Sequence, residues 1–121
     1  MDRSLVAVRA ISPDEAAVVE RALAVAGSVP ELAASIESLQ VVGHCGCGCA
    51  SVDFSVLPQG QVPSIVADAI GTSATGEELG VIIWANAGQL HSLEVYSYGD
   101  TPAPLPVVAS ISSYGGTSSA A

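Results

Sequence analysis

Residues 81–98 read VIIWANAGQLHSLEVYSY, and this segment predicts a β-hairpin at the centre of a sheet. Residues 81–85 are apolar at every position, which is typical of a strand buried on both faces. The Asn-Ala-Gly sequence at residues 86–88 predicts a three-residue loop in which Gly88 adopts a left-handed conformation. Residues 90–98 follow as the returning strand. Because sequential strands joined by short turns pair with each other, the segment favours an antiparallel meander.

The segments before this hairpin predict further strands. At residues 52–56, apolar and polar side chains alternate, as in a strand with one buried face. Residues 65–70 predict another strand, and a short strand at residues 39–42 would be the fifth. The meander is therefore expected to contain four to five strands.

Residues 12–39 predict helix. Ser12 and Glu15 form a capping box with Pro13 at the first helical position, and Gly27 is suited to end the helix. A second capping box at residues 28–31 predicts a second helix that ends near residue 39. The predicted fold is thus α+β, with an N-terminal helical pair packed on the antiparallel β-meander. We expect a single domain over residues 1–111 and a flexible C-terminal tail over residues 112–121.

The charge balance excludes several classes of partner. The 121 residues include twelve acidic and three basic residues, for a net charge of -9. Three scattered arginines cannot displace counterions from phosphates, so nucleic acid and anionic membranes are not expected partners. A basic protein would be attracted, as in an immunity-type protein that neutralises a basic partner. The sequence sets no oligomeric state.

The expected location is the cytoplasm. No apolar run approaches the roughly 20 residues that are needed to span a bilayer. The first four residues, MDRS, are not followed by the long apolar segment of a secretory signal.

Three cysteines and a histidine lie together in the segment HCGCGC, residues 44–49. Thiolates and imidazole bind zinc and copper(I), so the segment predicts a metal site that consists of Cys45, Cys47, Cys49 and His44. In an extended strand, the outer two sulfur atoms would stand about 13 Å apart, too far to share a metal. A shared metal therefore requires Gly46 and Gly48 to curl the chain.

Two other interpretations of this segment stay open. A pair such as Cys45 and Cys47 could form a disulfide in a small thiol redox protein. Alternatively, the cysteines could serve as small apolar residues in a tight turn. The candidate functions are therefore a non-enzymatic metal-binding protein, an acidic module that binds a basic partner, and a thiol redox protein.

The carboxylates of Asp53, Asp68 and Glu94 lie within strand patterns, where alternation predicts that they point to solvent. Tyr96 shares a strand face with Glu94, and the same alternation predicts that His91 faces the opposite side. No phosphate-binding loop, nucleophile elbow or zinc-protease motif is present, so no enzymatic activity is predicted.

Two segments also resemble a known pattern. The first is residues 45–54, CGCGCASVDF. The second is residues 80–84, GVIIW, with residues 90–100, LHSLEVYSYGD, and a Leu-Pro pair at residues 105–106. Over roughly residues 39–106, the chain resembles a family of small uncharacterised bacterial proteins with a Cys-Gly cluster before a Val-Asp-Phe strand and a C-terminal Leu-Glu-Val-Tyr strand. The resemblance implies a single domain and carries over no catalytic residue.

Overall fold

The described part of the chain is a mostly β protein with seven strands and one bounded α-helix. The computed structural model describes residues 3–27, 32, 35–45, 48–99 and 102–114, with the backbone alone at residues 3–7 and 45. In chain order, the elements are β1 (Arg3–Ala10), α1 (Pro13–Ala26), β2 (Gln40–Cys45), β3 (Val52–Asp53), β4 (Ser64–Thr72), β5 (Glu78–Asn86), β6 (Gln89–Ser97) and β7 (Ser112–Ser113). One antiparallel sheet contains all seven strands in the order β1-β2-β3-β6-β5-β4-β7.

Helix α1 begins and ends where its sequence signals predict. The Glu15 backbone N–H donates to Ser12 Oγ at 3.1 Å, and the Ser12 backbone N–H donates to Glu15 Oε1 at 2.9 Å. Together these bonds satisfy donors that the first helical turn leaves without a partner. Gly27 ends the helix with φ 71°, a left-handed conformation that glycine adopts without steric cost. The predicted capping box and C-terminal glycine are confirmed.

The hydrophobic core lies between α1 and the face of β4 and β5 on which it packs. Alternation along β5 points Leu79, Val81 and Ile83 into this core, where each is fully buried. Burial of one such side chain stabilises the fold by about 1.5–3 kcal/mol. The helix contributes its own apolar stripe, Val18, Val19, Ala22 and Leu23.

The prediction of an N-terminal helical pair on a four-to-five-stranded meander was wrong. Residues 3–10 form strand β1, which pairs with β2 from Ala10 opposite Gln40 to Arg3 opposite Cys45. Of the predicted second helix, residues 28–31, 33 and 34 lie outside the described residues. Leu32 is helical, Ile36–Ser38 is a single 3₁₀ turn, and the chain enters β2 at Gln40. Residues 3–10 and 40–45 are far apart in sequence and pair with each other as β1 and β2. Local helix signals give no information about such long-range pairing, so they could not predict it.

The β5–β6 hairpin is present, but its loop is shorter than predicted. Asn86 pairs with Gln89, so the loop contains two residues, Ala87 and Gly88. Both have positive φ, 53° and 79°, as a type I′ turn requires. This turn matches the twist of the flanking strands, which explains why a two-residue loop replaces the predicted three-residue loop.

The predicted strand at residues 65–70 is confirmed within β4, whereas the strand predicted at residues 52–56 is limited to β3, two residues long. At the C-terminus, Ser112–Ser113 pairs with β4, and the Tyr114 backbone N–H donates to the Asp68 carbonyl at 3.0 Å. The rest of the predicted tail, residues 115–121, lies outside the described residues.

Candidate functional site

The cysteine segment connects two adjacent antiparallel strands. His44 in β2 pairs directly with Val52 in β3, so the chain reverses direction between these two residues. His44 and Cys49 are half-buried, and Cys49 packs against the core. The Cys45 side chain and residues 46 and 47 lie outside the described residues. In the part of the chain that the structure describes, no group of three or more metal-ligating side chains comes together. The four-residue metal site, Cys45, Cys47, Cys49 and His44, therefore stays a prediction.

A different cluster of polar and aromatic side chains lies on the sheet face opposite α1. We call one group of residues that the strand register places on this side the open face: Asp68, Ile70, Gly80, Ile82, Trp84, Ser92, Glu94 and Tyr96. Ile70, Ile82, Trp84 and Tyr96 are half-buried there, whereas their neighbours on the core side are fully buried. No described helix covers the open face.

The open face carries negative charge without a nearby described arginine. Asp68 is exposed and Glu94 is half-buried, and the pairing of Asp53 with Ser92 and of Glu78 with Thr72 places two more carboxylates at its borders. Arg9 forms a salt bridge with Glu15 on the helix side of the molecule. Arg21 donates to the carbonyl oxygen of Ile111 at 3.3 Å. The electrostatic potential above the open face is therefore expected to be negative.

Further carboxylates lie elsewhere on the described surface. Asp14 and Glu20 are exposed on α1, and Glu37 is exposed on the 3₁₀ turn that follows. The acidic residues are thus divided between two sides of the molecule. What distinguishes the open face is the combination of carboxylates with aromatic side chains.

The aromatic side chains of the open face are held in defined positions. Trp84 Nε1 donates to Glu94 Oε1 at 2.9 Å, a diagonal contact between β5 and β6. The rings of Tyr96 and Tyr98 pack edge to face, with centroids 5.6 Å apart and planes 73° apart. Burial raises the pKa of the Tyr96 phenol to about 12, with smaller contributions from the hydrogen bond to Tyr98 and the charge of Asp68. Tyr96 is therefore protonated at neutral pH.

One concavity lies at the edge of the open face, next to Trp84. Its volume is about 220 Å³, and we call it the Trp84 pocket, which is lined by Pro63, Trp84, His91, Ser92 and Glu94. Ser92 is 2% exposed, and among the described residues its hydroxyl group has no hydrogen-bond partner. Buried hydroxyl groups in proteins are normally hydrogen-bonded, so this one stands out.

The position of His91 differs from the prediction. Trp84 pairs with Ser92 and Ala85 pairs with Leu90, so His91 is an extra residue in β6 and forms a β-bulge. The bulge lets His91 and Glu94 line the same pocket, although simple alternation predicts opposite faces. His91 Nδ1 lies 3.0 Å from Ser55 Oγ, which fixes the orientation of the ring. Sequence reasoning also missed Ser92 and Pro63, since neither forms part of a recognisable motif.

Comparison with known proteins identifies no relative. No protein-family model matches the chain, and neither a curated protein nor a solved structure matches it. The resemblance to a family of small bacterial proteins therefore stays a prediction. No helix in the described part of the chain is long and apolar enough to cross a membrane.

Proposed function

We propose that this protein binds a basic protein or peptide through the open face. The observation that carries the proposal is the combination of Asp68 and Glu94 with Trp84 and Tyr96 on a sheet face that no described helix covers. Aromatic side chains supply contact area at a low entropic cost, and they attract cations through their π-electrons. Carboxylates at the same surface favour cationic partners and disfavour anionic ones.

The charge of the chain also favours a partner other than a second copy. The net charge is -9, so two copies repel each other, and the same carboxylates would meet at a symmetric contact between two open faces. A basic partner would instead be steered towards this face, and its association rate would fall as salt is added.

The test compares two double variants with the same change in charge. Asp68→Asn with Glu94→Gln removes two charges from the open face. Glu20→Gln with Glu37→Gln removes two exposed charges near α1 and serves as the control. We expect an arginine-rich model peptide to bind the open-face variant about tenfold or more weakly than the control variant, as measured by calorimetry at low salt. Equal weakening in both variants would show general charge attraction and would refute the open face as the binding site.

We also propose that the cysteine segment binds a thiolate-preferring metal, zinc or copper(I). The observation that favours it is the antiparallel pairing of His44 with Val52, because the chain must reverse direction between these two residues. Gly48 has φ 88°, a left-handed conformation within the same segment. In an extended strand, the outer two cysteine sulfur atoms would lie about 13 Å apart, too far to share a metal. A reversal of the chain removes this objection. Titration of the reduced protein with zinc or copper(I) tests this proposal.

A further inference from the structure

We propose that the Trp84 pocket binds the guanidinium group of an arginine side chain from the basic partner. This inference rests on the proposed function and specifies which group of the partner the open face recognises. It depends on three features of the pocket: a carboxylate, an indole ring and a buried hydroxyl group without a partner.

The carboxylate supplies charge in a fixed position. Glu94 is half-buried, and the hydrogen bond from Trp84 Nε1 to Oε1 holds the group at the pocket wall. Because that hydrogen bond is made by Oε1, it fixes the orientation of the carboxylate and leaves Oε2 able to accept a hydrogen bond from a ligand. A carboxylate that is held in place and partly shielded from water binds a cation more strongly than a mobile surface carboxylate does.

The hydroxyl group of Ser92 is the second feature. Ser92 neighbours Glu94 on the same face of β6, and its side chain is 2% exposed while it lines the pocket. Within the described residues, nothing donates to or accepts from this hydroxyl group. A ligand with an N–H donor would give this hydroxyl group a hydrogen-bond partner.

The indole ring of Trp84 is the third feature, and it distinguishes guanidinium from ammonium. A planar guanidinium group stacks on an aromatic ring and presents its N–H groups in a fixed fork. In the proposed complex, this fork donates to Glu94 Oε2 and to Ser92 Oγ, which line the same pocket. The volume of about 220 Å³ is several times the roughly 30 Å³ that one water molecule takes up in the liquid, so a guanidinium group fits.

The chain offers a direct probe of this pocket, because Trp84 is its one tryptophan. We would titrate isotope-labelled protein with methylguanidinium at constant ionic strength and follow the indole N–H signal by NMR. Methylguanidinium is expected to shift this signal at lower concentrations than methylammonium does. Glu94→Gln should weaken binding by about tenfold, because the amide oxygen keeps the Trp84 hydrogen bond but loses the charge. Ser92→Ala should weaken it by about threefold.

The matched control is Glu20→Gln, which makes the same change of charge at an exposed position on α1, away from the open face, and should leave methylguanidinium binding nearly unchanged. Ser92→Ala removes a group that has no partner, so it should fold normally, which its amide spectrum will verify. An absent indole shift, or equal affinity for methylammonium, would overturn the arginine assignment. If an arginine-rich peptide still binds while the indole signal stays unmoved, the pocket assignment falls and the proposed function stands. If methylguanidinium binds but the peptide does not, the pocket assignment stands and the proposed function falls.

Discussion

Gly80 on β5 pairs directly with Tyr96 on β6, and the Tyr96 ring covers the position that a β-carbon at residue 80 would occupy. The glycine therefore lets an aromatic ring lie close over the backbone of the neighbouring strand. This contact explains why Tyr96 is half-buried on a face that no described helix covers, and why burial is the main cause of its raised pKa.

Gly80→Ala is expected to move the Tyr96 ring away from β5. The added methyl group would overlap the far end of the ring, and the ring is the part of this contact that can move. With less burial, the pKa of the Tyr96 phenol should fall from about 12 towards its ordinary value of 10.0. An NMR titration that resolves the three tyrosines would measure this change. Tyr98→Phe, which removes the hydrogen bond but not the burial, should lower the pKa less, and an unchanged Tyr96 pKa in Gly80→Ala would contradict this account.

A salt bridge at the start of α1 should make the free energy of unfolding depend on pH in the acidic range. The Arg9 guanidinium donates two hydrogen bonds to Glu15, at 2.9 and 2.8 Å, and the Glu15 side chain is 9% exposed. Burial alone would raise the pKa of Glu15, but the hydrogen bonds from Arg9 and Ser12 outweigh it and lower the pKa below 4.5. Because the folded-state pKa is depressed, the stabilisation is present above pH 4.5 and is lost as the pH falls through the folded-state value.

Glu15→Gln should therefore reduce the free energy of unfolding by about 1–2 kcal/mol at neutral pH, since it weakens a charged hydrogen-bond pair and a capping box. Urea unfolding at several pH values would measure it. The difference between the wild type and the variant should shrink below pH 4.5, where the wild-type carboxylate becomes protonated. Glu20→Gln, an exposed position on the same helix, is the control. A difference that stays constant with pH would show that the charge of Glu15 contributes nothing.

The local signals at the two ends of α1 predicted its structure correctly, whereas the second capping box did not lead to a correct fold. Ser12, Glu15 and Gly27 act within one helix, so their sequence positions are sufficient to place both of its ends. The apolar run at residues 81–85 and the turn signal that follows it likewise predicted the central hairpin. The interaction that the sequence could not show is the pairing of β1 with β2, which joins Ala10 to Gln40 across thirty positions of the chain.

The Trp84 pocket was also beyond sequence reasoning, for a related reason. One extra residue, His91, shifts the alternation of β6 and brings His91 to the side of the sheet that carries Glu94. A bulge depends on the partner strand, so a period-2 pattern read along one strand assigns the wrong face beyond it. The sequence predicts only that the Glu94 carboxylate points to solvent, and it contains no signal for the pocket around this group.

The hairpin turn between β5 and β6 offers a stabilising substitution. Ala87 has φ 53°, a left-handed conformation that costs a residue with a β-carbon roughly 1 kcal/mol. Asparagine tolerates this conformation and is preferred before glycine in two-residue turns. Ala87→Asn should therefore raise the free energy of unfolding by about 0.5–1 kcal/mol, which thermal unfolding would detect as a higher Tm.

A substitution that should destabilise the same turn, at Gly88, is the control for Ala87→Asn. Gly88 has φ 79°, and a β-carbon there would meet no neighbouring atom, so Gly88→Ala tests backbone strain without a steric clash. It should lower the free energy of unfolding by about 1 kcal/mol. A neutral effect of both substitutions would mean that the turn relaxes to another conformation.

The cysteine segment gives the last prediction, which concerns metal. If Cys45, Cys47 and Cys49 converge between His44 and Val52, the reduced protein should bind one zinc or copper(I) ion with thiolate ligands at about 2.3 Å for zinc. Binding should release protons, because the thiols must lose theirs to coordinate the ion, and it should raise Tm, because the unfolded chain lacks the assembled site. Calorimetric titration in buffers of different ionisation enthalpy would count the protons.

A variant with all three cysteines changed to serine should lose both effects, and His44→Gln should weaken binding if the imidazole is the fourth ligand. Zinc uptake without a change in Tm, or uptake that survives in the triple serine variant, would place the metal elsewhere and leave the cysteines as small apolar residues of the turn.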